Sequence, residues 1–250
     1  MSAAEPAPSG PAWVILPTYN EAGNIEAMVE ALGPKLSAED RILIVDDNSP
    51  DGTGPIADRI AEAEPRVEVL HRPRKEGLGP AYIAGFRRAL AGGAGLIVQM
   101  DADFSHDPAY LPRLIAASAL ADLVLGSRYV PGGAVTEWGS FRRLISRGGS
   151  LYSRTVLGVP VRDLTGGFKC FRREVLETID LDSVAASGYS FQVEMTYRTL
   201  RAGFEVLEVP ITFRERETGK SKMSTSIVIE AAWKVPAIRF SSPEGRRRGR

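Results

Sequence analysis

Short apolar runs alternate along the chain with segments whose apolar residues recur every three or four positions. "WVILP", "RILIVDD", "RVEVLHR", "GLIVQMD" and "DLVLGSR" read as strands, and "NIEAMVEAL", "GPIADRIAEA", "PAYIAGFRRALA" and "AYLPRLIAASA" between them read as helices. Strands that are apolar at nearly every position are buried on both faces. Alternating with amphipathic helices, they predict an α/β fold with a mainly parallel sheet covered on both sides. Such sheets bind ligands at the carboxyl ends of their strands. Polar clusters stand at those ends here: "PTYNE" after the first run, "DDNSPDGT" after the second, "DADFSHD" after the fourth and "SRY" after the fifth.

The pattern changes after Tyr129. The stretch to Val161 is rich in Gly and Arg, and Gly132-Gly133 and Gly148-Gly149 read as turn-like breaks. Within it, Trp138, Phe141, Leu144 and Ile145 recur at spacings close to three and four, so 138–157 also reads as an amphipathic, basic surface segment. "GGFKCFRR" and "FEVLEVPITFRER" predict further strands around a helical "SFQVEMTYRTLRA". A last helix is expected from about Ser224 to Val235, with Pro236 limiting it. The expected organisation is a disordered leader over 1–12 and one domain over 13–240, followed by a basic tail over 241–250. The domain divides into a nucleotide-binding half (13–103) and an acceptor half (104–240).

Composition narrows the function. The chain has 250 residues, 44% of them apolar, and its 31 basic and 31 acidic residues cancel. The cancellation hides an asymmetry. Trp138 to Arg162 carries five arginines and no acid, and Ser241 to Arg250 four arginines and one glutamate, which leaves a net of −8 elsewhere. So acidic a body excludes bulk nucleic-acid binding, while the basic segments suit a local anionic partner. The single cysteine, Cys170, cannot form an intrachain disulfide, which fits a reducing compartment, and it reads as a small buried residue. No apolar run approaches the ~20 residues of a membrane span, and the N-terminus lacks the pattern of a signal peptide, so a cytoplasmic location is expected.

The run "GLIVQMDADFSHDP" ends in two carboxylates, Asp101 and Asp103, one residue apart. In an extended chain residues i and i+2 point the same way. Two carboxylates so placed repel each other unless a proton or a cation intervenes. A hard divalent ion, Mg²⁺ or Mn²⁺, would remove the repulsion and keep about four positions for phosphate and water. The same residues also suit a helix cap with solvated loop charges, and spacing alone leaves both readings open. An EF-hand loop is excluded, because His106 stands where its Gly and Pro112 where its Glu would be.

In "RILIVDDNSPDGT", Asp47 is placed to accept hydrogen bonds from a base or ribose, while Asp51, Gly52 and Thr53 serve turn and cap. "GTGPIA" matches a dinucleotide fingerprint only loosely: its first Gly is too far from the strand end, and the next strand ends without an acid. "ETGKS" lacks the first Gly of a phosphate loop, since Arg214 stands there. Arg128, Arg216, Lys220 and Lys222 read either as solvated charges or as the cations a diphosphate leaving group requires. The last three share a Gly-containing loop, which suits a flap over the site. Tyr19 suits either a base contact or packing, and His106 reads as a loop hydrogen-bonding residue outside the catalytic set.

These motifs together resemble the family-2 glycosyltransferases of the GT-A fold, a mainly parallel Rossmann-like sheet with helices on both faces. The likeness is closest to the dolichyl- and polyprenyl-phosphate mannose synthases. The matching pieces are "VILPTYNE", "VDDNSPDGT", "EGLGPAY", "DADFSHDP", "GSRYVPGG", "TGGFKCFRR", "GYSFQVEM" and "VPITFRERETGKSKM", which together reach from about Trp13 to Ser226. The resemblance implies an inverting transfer of mannose from GDP-mannose to a polyprenyl phosphate. It implies that Pro17, Tyr19, Glu21, Val45 and Asp47 hold the guanosine. Asp101, Ala102 and Asp103 hold metal and diphosphate, and Arg128, Arg216 and Lys222 hold phosphate groups. Relatives often carry Gln where this chain has Ser105, so a hydroxyl or a water replaces that metal contact. Some relatives have membrane spans beyond the catalytic region. This chain resembles the short forms, which are soluble or rely on a separate membrane-anchoring protein, so it is expected at the cytoplasmic face of a membrane. Two alternatives remain at this point: a UDP-glucose-dependent polyprenyl-phosphate glucosyltransferase, and a non-catalytic adaptor that binds a sugar nucleotide.

Overall fold

The computed structural model describes residues 10–136, 140–184, 188–214 and 233–240, and the backbone alone of 140–144 and 189. Its centre is a seven-stranded sheet of order β3-β2-β1-β4-β7-β5-β8. The strands are β1 (Ala12–Thr18), β2 (Arg41–Asp46), β3 (Val67–His71), β4 (Leu96–Gln99), β5 (Leu123–Ser127), β7 (Lys169–Arg172) and β8 (Val206–Pro210). All pairings are parallel except those of β7, which runs antiparallel between β4 and β5. A two-stranded sheet joins β6 (Ala134–Val135) to β9 (Thr212–Phe213). The predicted α/β architecture is thus observed.

Strand alternation sorts the core into two layers. Trp13, Ile15, Leu43, Val45 and Ile97 face one side, with Tyr82 and Phe86 of α3 (Leu78–Ala91) and Phe191 of α7 (Gly188–Arg201). Val14, Leu16, Ile42, Ile44 and Val98 face the other. They pack there with Met28 of α1 (Ile25–Leu32), Ala57 of α2 (Thr53–Ala63) and Leu114 of α4 (Leu111–Ala117). Helix α3 lies so close to the sheet that a Cβ on Gly85 would come within 2.4 Å of Ile15 Cγ2. Cys170 is buried in the second layer, and burial pushes its thiol up to about 12, so it is inert as predicted.

Three predicted boundaries move. Gly148 and Gly149 are no break but lie within α5 (Ser140–Leu157). Each costs a helix about 1 kcal/mol against Ala, and tertiary bonds offset this. Tyr129 donates to Ser146 Oγ at 2.6 Å, and the Ser150 and Thr165 hydroxyls meet at 3.3 Å. The predicted "FEVLEVPITFRER" strand divides at Ile211 into β8 and β9, which belong to different sheets. Residues 233–240 are helical, so Pro236 lies inside a helical segment instead of limiting one; the expected start at Ser224 is outside the described residues. Arg239 donates to the Val156 carbonyl, which ties this segment to the end of α5.

Candidate active site

Strand β1 lies between β2 and β4, where the strand order reverses, and the crevice of such a sheet opens at these carboxyl ends. The loops there are bound to one another. Thr18 Oγ1 donates to Asp46 Oδ1 at 3.3 Å, the Asp47 N–H to Thr18 O at 3.0 Å and the Asn20 N–H to Ser49 Oγ at 3.2 Å. The Glu21 N–H donates to Thr53 Oγ1 and the Ala22 N–H to Asp51 Oδ2, both at 3.0 Å. Pro17 and Val45 are residues of β1 and β2 in register with each other. Tyr19 and Glu21 follow β1 directly, and Lys75 Nζ stands 3.5 Å above the Tyr19 ring. Of the five residues expected to hold a guanosine, Pro17 and Val45 thus lie near the ends of adjacent strands, and Tyr19, Glu21 and Asp47 on the two loops that follow. Asp47 is buried and paired with Arg72, which the sequence did not indicate. A carboxylate has about four acceptor positions, so the pair fixes Asp47 without exhausting it.

The third loop carries the two carboxylates. Strand β4 stops at Gln99, and 102–105 is bent. The strand-alternation argument for Asp101 and Asp103 therefore fails: a bent loop presents them, not an extended chain. Phe104 at its apex has φ 59°, a left-handed conformation that a bulky residue adopts only where its surroundings impose it. Asp101 Oδ1 accepts from the Tyr82 hydroxyl at 2.8 Å, and Asp103 Oδ1 from the Ser105 N–H at 3.1 Å. Burial, then the charge of Asp101, raises the Tyr82 hydroxyl well above its usual range, so it remains a donor. The Asp101 N–H points to His106 Nδ1 at 3.4 Å, and the His106 ring is packed against Phe168 and Phe213.

The described residues contain no group of three or more His, Cys, Asp or Glu side chains that could hold a metal. Ser105 changes the count of oxygens, because its Oγ is buried without a hydrogen-bond partner. Two carboxylates and an orphaned hydroxyl within five residues form a hard-oxygen set that fits Mg²⁺ or Mn²⁺.

Arg128, just past β5, is buried and held by a distant segment. Its Nε and Nη2 donate to the two oxygens of Asp163, each at 2.7 Å, Nη2 also to Thr165 Oγ1 at 2.7 Å, and its N–H to Asp163 Oδ2 at 3.0 Å. Burial pushes the Asp163 carboxyl up, but the Arg128 charge and these bonds outweigh it and hold the group below its usual range. Arg128 is thus a positioned cation already offset by a carboxylate, not a solvated charge. Glu208 of β8 accepts from Ser127 Oγ at 2.7 Å and from the Arg162 and Asp163 N–H groups at 2.8 and 2.9 Å, which fixes the segment that carries Asp163.

Arg216 and Lys222, Lys220, the 215–224 flap, Trp138 and the side chains of Phe141, Arg142, Arg143 and Leu144 lie outside the described residues. Sequence reasoning missed Tyr82, Asp163, Lys169 and Gln192. A signal existed for some of them: Gln99 interrupts "LIVQM", and Lys169 sits between aromatics in "GFKCF". A polar residue inside a buried strand demands a partner.

Residues 13–180 match the family described as glycosyl transferase family 2. The chain belongs to that family. It is 53% identical over 223 residues to an undecaprenyl-phosphate mannosyltransferase of Micrococcus luteus, covering 88% of this chain and 90% of the relative. It is 52% identical over 224 residues to a polyprenol monophosphomannose synthase of Mycolicibacterium smegmatis, covering 89% of this chain and 84% of the relative. Among solved structures it resembles the glucosyl-3-phosphoglycerate synthase of Mycobacterium tuberculosis in complex with Mn²⁺, UDP-glucose and glycerol 3-phosphate. The TM-score is 0.66 at 20% identity, over 93% of this chain and 80% of that one. The likeness at that identity is one of fold, and it makes the family-2 sheet here GT-A-like.

Proposed function

We propose that the chain is a polyprenyl-phosphate mannosyltransferase that moves mannose from GDP-mannose to a polyprenyl phosphate with inversion, giving a β-mannosyl phosphoryl polyprenol. The observation that carries this reading is identity above one half, along nearly nine-tenths of the chain, to an undecaprenyl-phosphate mannosyltransferase and a polyprenol monophosphomannose synthase. The loops after β1 and β2, bound to each other, and the carboxylate loop after β4 support it as a nucleotide site. Pro17, Tyr19, Glu21, Val45 and Asp47 take the guanosine, and Asp101, Ala102 and Asp103 the diphosphate.

The acceptor phosphate has a second pKa near ~6, so at neutral pH it is already a dianionic nucleophile and needs no protein base. One of its oxygens bonds to the anomeric carbon from the face opposite GDP. The bond to the GDP oxygen breaks, and its electron pair leaves with GDP. The work of the chain is to orient and to place charge. Asp101, Asp103 and Ser105 would hold Mg²⁺ or Mn²⁺, which when bound supplies positive charge to the departing diphosphate. Tyr82 fixes the Asp101 carboxylate, Asp163 fixes Arg128, and Arg216 and Lys222 complete the charge around the phosphates.

The acceptor's apolar tail stays in the bilayer in this reading, and the protein docks on the cytoplasmic surface to reach its phosphate; no described helix is long and apolar enough to cross a membrane. Helix α5 suits that role. Leu151 and Tyr152 are exposed on it, and a cavity of about 320 Å³ beside it is lined by Tyr129, Arg147, Ser150, Leu151, Arg154 and Arg162. A separate membrane-anchoring protein would strengthen a docking that basic residues supply at about 1 kcal/mol each. The test is incubation with radiolabelled GDP-mannose, Mn²⁺ and a polyprenyl phosphate. A labelled, mild-acid-labile lipid is expected. Preferential transfer from UDP-glucose at equal concentration, or no labelled lipid, would overturn the reading.

A further inference from the structure

Beneath the Asp101 loop lies a buried polar chain that the proposed chemistry does not use. Gln192 of α7 is 4% exposed. Its Oε1 accepts from Lys169 Nζ at 2.9 Å and from Gln99 Nε2 at 2.6 Å, and Lys169 Nζ also donates to the Gln192 carbonyl at 2.6 Å. These contacts decide which way round the amide sits. An ammonium is a donor only, and a neutral amine still has two N–H groups for these two oxygens. The amide oxygen therefore faces Lys169, and Nε2 is turned away from it.

Nε2 has no acceptor among the described residues. It lies beside Gly167, where the missing side chain leaves a small space between three groups. A Cβ at Gly167 would lie 3.5 Å from Gln192 Nε2, 3.5 Å from Asp101 Oδ2 and 3.2 Å from His106 Cε1. Two of these atoms are polar and of opposite kind: an amide N–H that can only donate and a carboxylate oxygen that can only accept. A phosphate oxygen suits the first and is repelled by the second. A hydroxyl suits both, since it accepts from one and donates to the other. The space adjoins the carboxylate assigned to the diphosphate, one bond from which the transferred sugar begins.

We propose that Gln192 donates its Nε2–H to a hydroxyl of the transferred sugar, and that Lys169 and Gln99 are positioning residues that hold the amide in this orientation. The inference rests on the donor reading above and adds a sugar-discriminating contact to it.

The experiment measures kcat/KM for GDP-mannose and for its four monodeoxy analogues, with parent, Gln192→Leu, Gln192→Glu and Lys169→Met proteins. It also measures the affinity of each for GDP with Mn²⁺ by calorimetry. Gln192→Leu is expected to lower kcat/KM for GDP-mannose by about 10- to 100-fold. For one deoxy analogue it should change kcat/KM by less than about twofold, because the hydroxyl that Gln192 would bind is already gone. GDP affinity should stay within about twofold of the parent. Gln192→Glu keeps the side-chain shape and the Lys169 contact but replaces the donor with an acceptor, so it should show the same pattern even if the Leu variant fails to fold. Lys169→Met should lose discrimination against that same analogue. A parent that transfers mannose while the variants lose activity equally on every analogue, or lose GDP affinity in parallel, overturns the inference and leaves the donor reading standing. A parent that does not transfer mannose from GDP-mannose overturns both.

Discussion

The crevice after β1, β2 and β4 and the wall built from β5, β7 and α7 hold their functional groups in different ways. In the crevice each side chain sits within a few residues of a strand end and is braced mostly from its own loop, Ser49 on Asp46, Thr53 on Asp51 and Ser105 on Asp103, with Ala22 of the neighbouring loop also on Asp51. In the wall the partners are far apart in sequence: Arg128 with Asp163, Gln99 with Gln192, Lys169 with Gln192. Burial alone does not separate them: Arg128, Asp163, Lys169 and Gln192 are buried, and so are Asp46, Asp47 and Asp103, while Asp101 is half-buried and Asp51 exposed. The sequence reach of the contacts does separate them, so damage to the crevice should remove chemistry and largely spare the fold, and damage to the wall should do both.

Asp103→Asn is the sharpest case for the crevice. It should lower kcat by about 10²- to 10³-fold while the melting temperature stays close to the parent's. Normal turnover, or full parent activity in excess EDTA, would remove the metal from the account.

In the wall, Asp163→Ala leaves a buried guanidinium without its carboxylate. A loss of about 3–5 kcal/mol is expected, because breaking a buried pair strands a charge. Chemical denaturation measures it. A loss below about 1 kcal/mol would show that Arg128 rearranges and that the wall is no more cooperative than the crevice.

Lys169 adds a pH test. Burial lowers its pKa to about 7 from 10.5, with the Asp163 charge opposing the shift. Between those values the unfolded chain carries a proton that the folded one has released. Its contribution to stability therefore rises with pH across roughly 7 to 10.5 and is least favourable below about 7. Lys169→Met removes the group that must otherwise be charged while buried. The melting temperature of the variant minus that of the parent should thus be greatest at pH 6 and fall towards pH 9. A difference that does not vary with pH would show that the amine is not desolvated as the geometry implies.

The smallest effect is expected where crevice and wall touch. Tyr82→Phe removes one hydrogen bond to Asp101, worth about 1 kcal/mol, and should cost kcat about five- to tenfold with little change in GDP affinity. An unchanged kcat would mean that the Asp103 side of the loop alone sets its geometry.

How far the sequence could be read follows the same division. The crevice motifs were legible because turn and cap chemistry is local: "DDNSPDGT" and "DADFSHD" sit where an apolar run ends, whatever the rest of the chain does. Even there the reasoning for Asp101 and Asp103 relied on an extended chain that the bent loop does not provide. Arg128 was visible at a strand end, but Asp163, 35 residues further on, was not. Nothing periodic links the two, and the contact exists only because the fold brings the segment before β7, held by Glu208 of β8, back to the end of β5.

The sequence by itself determined the strand-and-helix alternation, the two-sided burial of the sheet, the inert cysteine and the polar strand ends. Each of these depends on local spacing and on apolar area that must leave water. The tertiary structure alone decided that Gly148 and Gly149 belong to a helix, that β7 runs antiparallel, and that Lys169 binds the Gln192 amide oxygen. These depend on which distant groups close packing brings within hydrogen-bonding distance. Their energies come from satisfying buried polar atoms, a requirement that arises only once the chain has folded around them.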